Sequence, residues 1–498
     1  MTKKSLLIIG AGLAGLATGC YGQMNGYKTK IFEMQNKPGG VCISWKRKAY
    51  TFDYSIHNLF GMIASSEDNK VWRELGALSG LETYSFKEFV QIEETNGKAF
   101  TVYTNLDELE SHMIELSPID KKKISEFVGV CRRFSRYDIF AAMSGGLGAA
   151  LKMLPVLPSL IKYSKIPVEK FAENFSDPFL QKAFPTIMYD ISGVPTLIPM
   201  IFLSALSKGD GGWPVGGSLA FSKNIEKRYL ELGGELLYNS KVTRILVEDN
   251  TAVGVELDDG SKHFGDVIIS AADGYSIIFD LLEGKYVNES IKTYYESYPK
   301  TISFGFEVWY GVKRDFTGEP HSMVLFQDEP VTFEGRQYNR LDFEIFNFDS
   351  TLAPSGKTIV KVVFDSNYDY WNNLSKDREA YVEEKRRIAD LLAERLEKRF
   401  PGFRSQIEAV DVATPVSVKH WTAAYRGYSV PYPAPESIAK EVSKKGVSKT
   451  LPGLKDFHMV GQWAGAFYST NQVALMGRDL VRQLCKEDNK KFETTFVE

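Results

Sequence analysis

An α/β fold is predicted by three features of this 498-residue sequence. A glycine-punctuated strand–helix–strand unit opens the chain, a strand-and-helix pattern resumes in its middle, and a strand, a glycine-containing loop and a helix close it. The composition, 44% hydrophobic and 25% charged, supports a large packed core and excludes a disordered chain, a collagen-like repeat and a coiled-coil rod.

Ser5–Ile9 is a continuous apolar run, typical of a strand buried on both faces. Gly10, Gly12 and Gly15 follow in the pattern G-x-G-x-x-G, and Leu13 to Met24 has helical spacing with small residues. The next strand, Lys28–Phe32, ends at Glu33. This is a βαβ unit of about thirty residues with an acid about twenty residues beyond the glycines, the pattern of a dinucleotide site. Gly10 permits the tight turn, Gly12 lets the backbone approach a pyrophosphate, and Gly15 allows close packing of helix on strand. Phosphates are expected at the helix N-terminus near Leu13 and Ala14, where N–H groups and the helix dipole favour negative charge. Glu33 is expected to accept hydrogen bonds from ribose hydroxyls, and its charge disfavours a 2′-phosphate.

In the middle of the chain, Leu219–Leu232 reads as an amphipathic helix stopped by Gly233-Gly234. Strands are expected around Lys241–Glu248, Ala252–Leu257 and Asp266–Ser270, separated by polar turns. Residues 377–399 form a long charged helix ending at Pro401-Gly402, its charges a solvated face. The chain closes with the strand Phe457–Val460, the loop Gly461–Tyr468 and a helix from about Thr470 to Cys485.

Ile139–Ile161 stands apart: mostly apolar, broken by Gly145-Gly146, Pro155 and Pro158, and followed by Lys162 and Lys165. It reads either as a buried helix pair or as a patch that dips into a membrane surface. No apolar run reaches the roughly 18 residues of a bilayer-spanning helix. Four scattered cysteines give no zinc spacing and no disulfide framework. The N-terminus shows no secretory signal, so a cytoplasmic protein, peripheral at most on a membrane, is expected. A formal charge of -3 gives no electrostatic footprint for nucleic acid.

After Glu33 come Pro38-Gly39-Gly40-Val41, then Phe52-Asp53-Tyr54-Ser55-Ile56-His57. Here the sequence resembles the phytoene desaturase and carotenoid isomerase family of the flavin amine oxidase-like superfamily. The likeness recurs at Trp213-Pro214-Val215-Gly216-Gly217, at Ser240-Lys241-Val242, at Ser270-Ala271-Ala272-Asp273 and at Gly461-Gln462-Trp463, with Met476-Gly477-Arg478 in the closing helix. The resemblance implies a Rossmann-type FAD-binding domain from about 1–70, 206–290 and 415–498. A discontinuous substrate domain of mixed sheet plus helices, about 71–205 and 291–414, would complete the fold. It further implies non-covalent FAD, with Gly39, Gly40 and Val41 around its adenosine and pyrophosphate, Ser55 on the flavin side and the Val242 backbone at the adenine. Gly461 and Gln462 would meet the ribityl chain. The closing helix, beginning at Thr470 and Asn471, would point its N-terminus at the flavin pyrimidine and stabilise negative charge there.

One departure is clear: the glycines that relatives carry after G-Q-W are replaced by Ala464-Gly465-Ala466-Phe467-Tyr468. The implied substrate is an extended apolar molecule, carotenoid, retinoid or lipid-like, with a C=C bond formed, reduced or isomerised. His57 and Tyr468 are the candidate catalytic groups, beside the bland alternatives of a satisfied structural histidine and a packing ring, and His420 is a further candidate. Rival readings are a cis/trans isomerase without net redox, an amine oxidase and a non-enzymatic lipid carrier. No second G-x-G-x-x-G is present, so electrons are expected to be exchanged with an external partner whose identity the sequence leaves open. No metal site is expected.

Overall fold

The strand Ser5–Ile9 (β1) lies in the middle of a five-stranded parallel sheet. The strand order is Glu235–Leu237, Lys28–Phe32 (β2), β1, Val267–Ser270 and Phe457–Met459. The computed structural model describes residues 3–139, 151–190, 193–298, 301–431, 449–465 and 469–497. In the parallel register Ile8 stands beside Ile31 on one side and Ile269 on the other. All three are fully buried, which is why β1 reads as an unbroken apolar run.

The helix Leu13–Met24 (α1) follows β1. It is buried over most of its length because it is wedged between the sheet and two other helices, Gly217–Glu231 and Thr470–Glu487. Small residues make that possible: a Cβ on Gly19 would lie 2.6 Å from the Tyr229 ring, and one on Gly477 would lie 2.7 Å from Thr18 Oγ1. The opposite face of the sheet is covered by a three-stranded antiparallel ribbon, Val242–Glu248, Thr251–Leu257 and Lys262–Phe264. Gly217–Glu231 starts two residues before the amphipathic pattern suggests. Gly217 adopts a φ of +77°, and Asp53 accepts hydrogen bonds from the Ser218 N–H at 2.7 Å and the Ser218 hydroxyl at 2.6 Å. The residues after the closing helix run back over the start of the chain. Asp488 meets Lys4 and Tyr27, Glu493 pairs with Asn25, and the Val497 N–H donates to the Arg73 carbonyl.

A seven-stranded mixed sheet forms the second layer, in the order Ile407–Ala413, Thr301–Val312, Thr358–Asn367, Arg336–Ile345, Ser322–Phe333, Glu88–Glu93 and Ala99–Tyr103. Every strand of this sheet lies in 71–205 or 291–414, and every strand of the parallel sheet lies outside those stretches. One face, with Val308, Tyr310, Phe343 and Val362, packs on the helix Arg378–Arg399. That helix is therefore not only a charged surface: Ile388, Leu392 and Leu396 make a buried stripe along it. A separate apolar cluster of helices, among them Leu106–Leu116, Lys121–Phe134 and Leu197–Ser207, abuts the far end of the sheet.

The other face of the central sheet carries charge where a core is expected. Glu344 stands directly opposite Lys361 in the strand register. The Lys361 ammonium, 1% exposed, lies 3.1 Å from Glu307 and 3.6 Å from Glu344. It also donates to the Tyr54 carbonyl, while the Trp309 indole donates to the Asp53 carbonyl at 2.8 Å. The charged face is thus the seam along which the sheet meets the segment after Tyr50–Asp53.

Residues 140–150 of the apolar segment Ile139–Ile161 lie outside the described residues. In the rest, Val156 is buried, but Leu151, Leu154, Leu157 and Ile161 are 65%, 56%, 40% and 48% exposed. The described part is therefore not a buried helix pair. Pro158 sits in the first turn of the short helix Leu157–Tyr163, where a missing N–H costs nothing. Among the described residues no helix is long and apolar enough to cross a membrane.

Replacing Lys361 by Met leaves Glu307 and Glu344 buried without their cation. The expected loss is about 3–5 kcal/mol of folding stability, read from urea or guanidinium unfolding curves.

Candidate functional site

The turn from β1 into α1 is built by backbone. Gly10 has a φ of +96° and its N–H donates to the Phe32 carbonyl at 2.8 Å, so the loop is tied to the end of β2. A Cβ on Gly15 would lie 2.0 Å from the Gly10 carbonyl oxygen, so helix and loop touch there. Gly12 differs: the nearest atom to its hypothetical Cβ is the Gly39 oxygen at 4.0 Å, so it borders open space. No side chain caps α1 and no acid lies in its first turn, which leaves the dipole of a 12-residue helix at Leu13 and Ala14 uncompensated by the chain.

Glu33, at the end of β2, is 6% exposed. Its carboxylate accepts the Ala11 N–H at 2.7 Å and the Gln35 N–H at 2.9 Å. Burial pushes its carboxyl up, and the backbone N–H groups oppose that only in part. The Ser240 N–H donates to the Glu33 carbonyl at 2.9 Å, which brings Val242, buried at the start of its strand, close behind the acid. Gly39 donates to the Ala11 carbonyl at 2.9 Å, and Gly39 and Gly40 both have positive φ, so this pair folds directly over the glycine loop. Val41 is half-buried against the same core.

The C-terminal loop closes on α1 from the other side. Gly461 has a φ of +93°, and a Cβ there would stand 3.1 Å from that of Ala14. The Gln462 amide donates to the Ser429 carbonyl at 2.9 Å. Thr470 opens the closing helix, and the fully buried Asn471 donates to Asp68 at 2.9 Å, so its amide fixes the helix start rather than facing outward. Tyr468 lies outside the described residues. Gly10, Gly12, Leu13, Ala14, Gly15, Glu33, Gly39, Gly40, Gly461 and Gln462 come from three distant stretches and converge on one helix end.

Ser55 and His57 follow the strand Tyr50–Asp53 into the seam. His57 Nδ1 lies 2.6 Å from Glu344 Oε1. Burial drives the Glu344 carboxyl up, but His57 and Lys361 outweigh it and hold it at about 2, so the carboxylate is ionised and Nδ1 is the donor of that pair. Burial raises Glu307 to about 7 and Asp53 to about 6, against the pull of Lys361 on both. His420 is exposed on the helix Pro415–Thr422, away from this seam. The sequence reading missed Lys361, Glu307 and Glu344. Their sequence signal is slight: Glu307 and Lys361 are charges set within apolar strands, and Glu344 ends the alternating run Arg340, Asp342, Glu344.

A glycine-lined helix N-terminus, a buried acid at the end of the second strand and a parallel sheet define a Rossmann-type domain. Residues 8–77 match the model of the NAD(P)-binding Rossmann-like domain. The chain is homologous to carotenoid isomerases and desaturases. It is 28% identical over 453 residues to the chloroplastic prolycopene isomerase of Daucus carota, covering 86% of this chain and 72% of that protein. It is 25% identical over 455 residues to the lycopene-forming phytoene desaturase of Pantoea ananas, covering 85% and 88%. An oxidoreductase from Methanosarcina mazei has the same fold, with a TM-score of 0.63 at 16% identity over 96% of this chain and 100% of that one.

Two alanine substitutions separate packing from ligand contact. Gly15→Ala must push α1 off the loop and is expected to cost about 1–3 kcal/mol. Gly12→Ala meets open space and is expected to cost less than about 1 kcal/mol. Thermal melts of the ligand-free protein read the difference.

Proposed function

We propose that this protein is an FAD-dependent oxidoreductase acting on C=C or CH–CH bonds of an extended apolar polyene. The observation that carries the reading is the intact nucleotide cradle in a chain whose relatives, across 85–86% of its length, are named for carotenoid isomerisation and desaturation. The residues fit the cofactor: Gly12 leaves room where a pyrophosphate approaches, and Glu33 sets a carboxylate where a ribose bears hydroxyls. The α1 N-terminus at Leu13 and Ala14 holds the phosphates, with Gly39, Gly40 and Val41 closing over them. The Val242 backbone serves the adenine, and Ser55, Gly461, Gln462 and Thr470 serve the flavin half. When bound, the flavin supplies hydride transfer at N5. The chain's own part is to bind, orient and exclude water. Asn471 anchors the start of the closing helix through Asp68, and His57 carries an exchangeable proton on an imidazole oriented by Glu344. The electron donor or acceptor is external. We place the boundary between the FAD-binding and substrate units at the changes from one sheet to the other.

The prolycopene isomerase match favours a second reading, cis/trans isomerisation with no net redox. Product analysis separates the two: an isomerase returns a polyene of unchanged mass.

Purified protein is expected to be yellow and to release free FAD on denaturation, while Gly12→Val folds but stays colourless. A colourless wild-type protein that cannot be reconstituted with FAD overturns the proposal in favour of a lipid carrier. Reduction of the flavin by amines alone favours an amine oxidase.

The row Leu151, Leu154, Leu157 and Ile161, with Lys152 and Lys165 beside it, suits shallow insertion into an anionic bilayer from which an insoluble substrate is drawn. Each buried CH₂ contributes about 0.8 kcal/mol. Co-flotation with anionic liposomes is expected for the native chain and is expected to be lost when Leu154 and Leu157 are both changed to Ser. Equal flotation of the two proteins assigns the contact to another surface.

A further inference from the structure

Among the described residues, Phe304 is the one residue other than glycine that takes a positive φ inside a strand: +54°, within Thr301–Val312. A left-handed backbone suits glycine and tolerates asparagine, but it strains a bulky residue and persists only where the surroundings impose it. Here a bulge imposes it. Ile302 pairs with Ser366 and Phe306 with Phe364, so between those pairs the strand runs two residues longer than its neighbour. Gly305 allows the curl, since a Cβ there would lie 2.9 Å from Ser366 Cβ and 3.0 Å from the Ile302 carbonyl oxygen.

The bulge decides which way Phe304 faces. In an unbroken strand it shares the face of Phe306, two residues on, which packs in the apolar layer on Arg378–Arg399. Instead its ring lies beside the His57 imidazole in the seam, with centroids 6.2 Å apart and planes inclined by 35°, a separation at which aromatic rings interact. Re-aiming one side chain in this way is a recurrent use of bulges beside functional sites. Both ends of the curl are held by contacts of their own. Ile302 belongs to an apolar cluster with Tyr428 and Trp463, the residue after Gly461-Gln462, and Glu307 pairs with Lys361 at 3.1 Å.

His57 Nδ1 lies 2.6 Å from Glu344 Oε1. That bond fixes one edge of a half-buried ring, but by itself it neither sets the tilt of the ring nor keeps water from the shared proton. We propose that Phe304 is a positioning residue for His57: the strained bulge holds its ring where, with Glu344, it confines the imidazole to one orientation and shelters the proton on Nδ1. The proposal rests on the reading of His57 as the carrier of an exchangeable proton, and it adds a group that keeps this proton in place. In this role Phe304 acts through the imidazole rather than on the reacting atoms.

The test is NMR of the protein as purified, with isotope-labelled histidine, following exchange of the His57 Nδ1 proton with water. The signal is assigned by its loss in His57→Gln. Phe304→Tyr keeps the ring and is expected to exchange as the native protein does. Phe304→Leu and Phe304→Gly remove the ring and are expected to exchange at least about tenfold faster, because protection follows local burial. The glycine variant suits the left-handed backbone and so is the one most secure to fold. If neither the leucine nor the glycine variant exchanges faster, Phe304 is a packing residue and the proposal is overturned. A native His57 Nδ1 proton that exchanges as fast as those of the exposed His420 overturns it without any variant. If exchange follows the ring, yet His57→Gln converts a polyene as fast as the native protein, the role of His57 falls and takes that of Phe304 with it, while the FAD reading stands.

Discussion

A buried ammonium group ties the seven-stranded sheet to the segment that follows Tyr50–Asp53. Lys361 sits in the middle of a central strand, shielded from water, where an isolated charge is not tolerated. It is neutralised from both sides of its own strand by Glu307 and Glu344, and it reaches across the seam to the Tyr54 carbonyl. These partners come from two strands and a loop, so the requirement for neutrality fixes register and docking together. A slip of one residue turns the lysine to the opposite face, into the apolar layer over Arg378–Arg399. The same arrangement delivers Glu344 to His57.

The nucleotide unit obeys a different constraint, the distance of approach. α1 is pressed on by strands below and by two helices beside it, and it accommodates them by having little side chain at the crossings. Gly15 touches the loop, Gly19 the Tyr229 ring, and Gly477 of the closing helix meets Thr18 and Ala14. Gly12 is the exception, with free space in front of it, so packing does not account for that glycine.

This difference explains what was legible in the sequence. β1, α1 and β2 match the expected bounds Ser5–Ile9, Leu13–Met24 and Lys28–Phe32 residue for residue, because glycine spacing and apolar runs are local signals. The ribbon Val242–Leu257 and the helix Arg378–Arg399 were legible for the same reason. The central sheet was not. Glu307 and Lys361 are charges set within apolar strands and Glu344 ends a run of alternating charges that reads as a wet face, and only the partner across the seam reveals that the face is dry. Asn471 likewise reads as a polar group at a helix start free to meet a ligand, whereas Asp68, some four hundred residues earlier, takes its amide. His57 stood out as a residue, but its partner Glu344 lies far along the chain and follows from no local pattern.

The closing helix and tail have a consequence for how the molecule is made. β1 is made long before two of its partners in the sheet, its neighbour Val267–Ser270 and, beyond that strand, Phe457–Met459 at the edge. The helix that packs on α1 begins at Thr470, and the last residues tie down Lys4, Asn25 and Arg73. β1 therefore stays apolar and without these partners until Phe457–Met459 and the helix from Thr470 have been made. Until then the segment exposes an apolar strand with unpaired edges, the kind of surface through which folding intermediates aggregate.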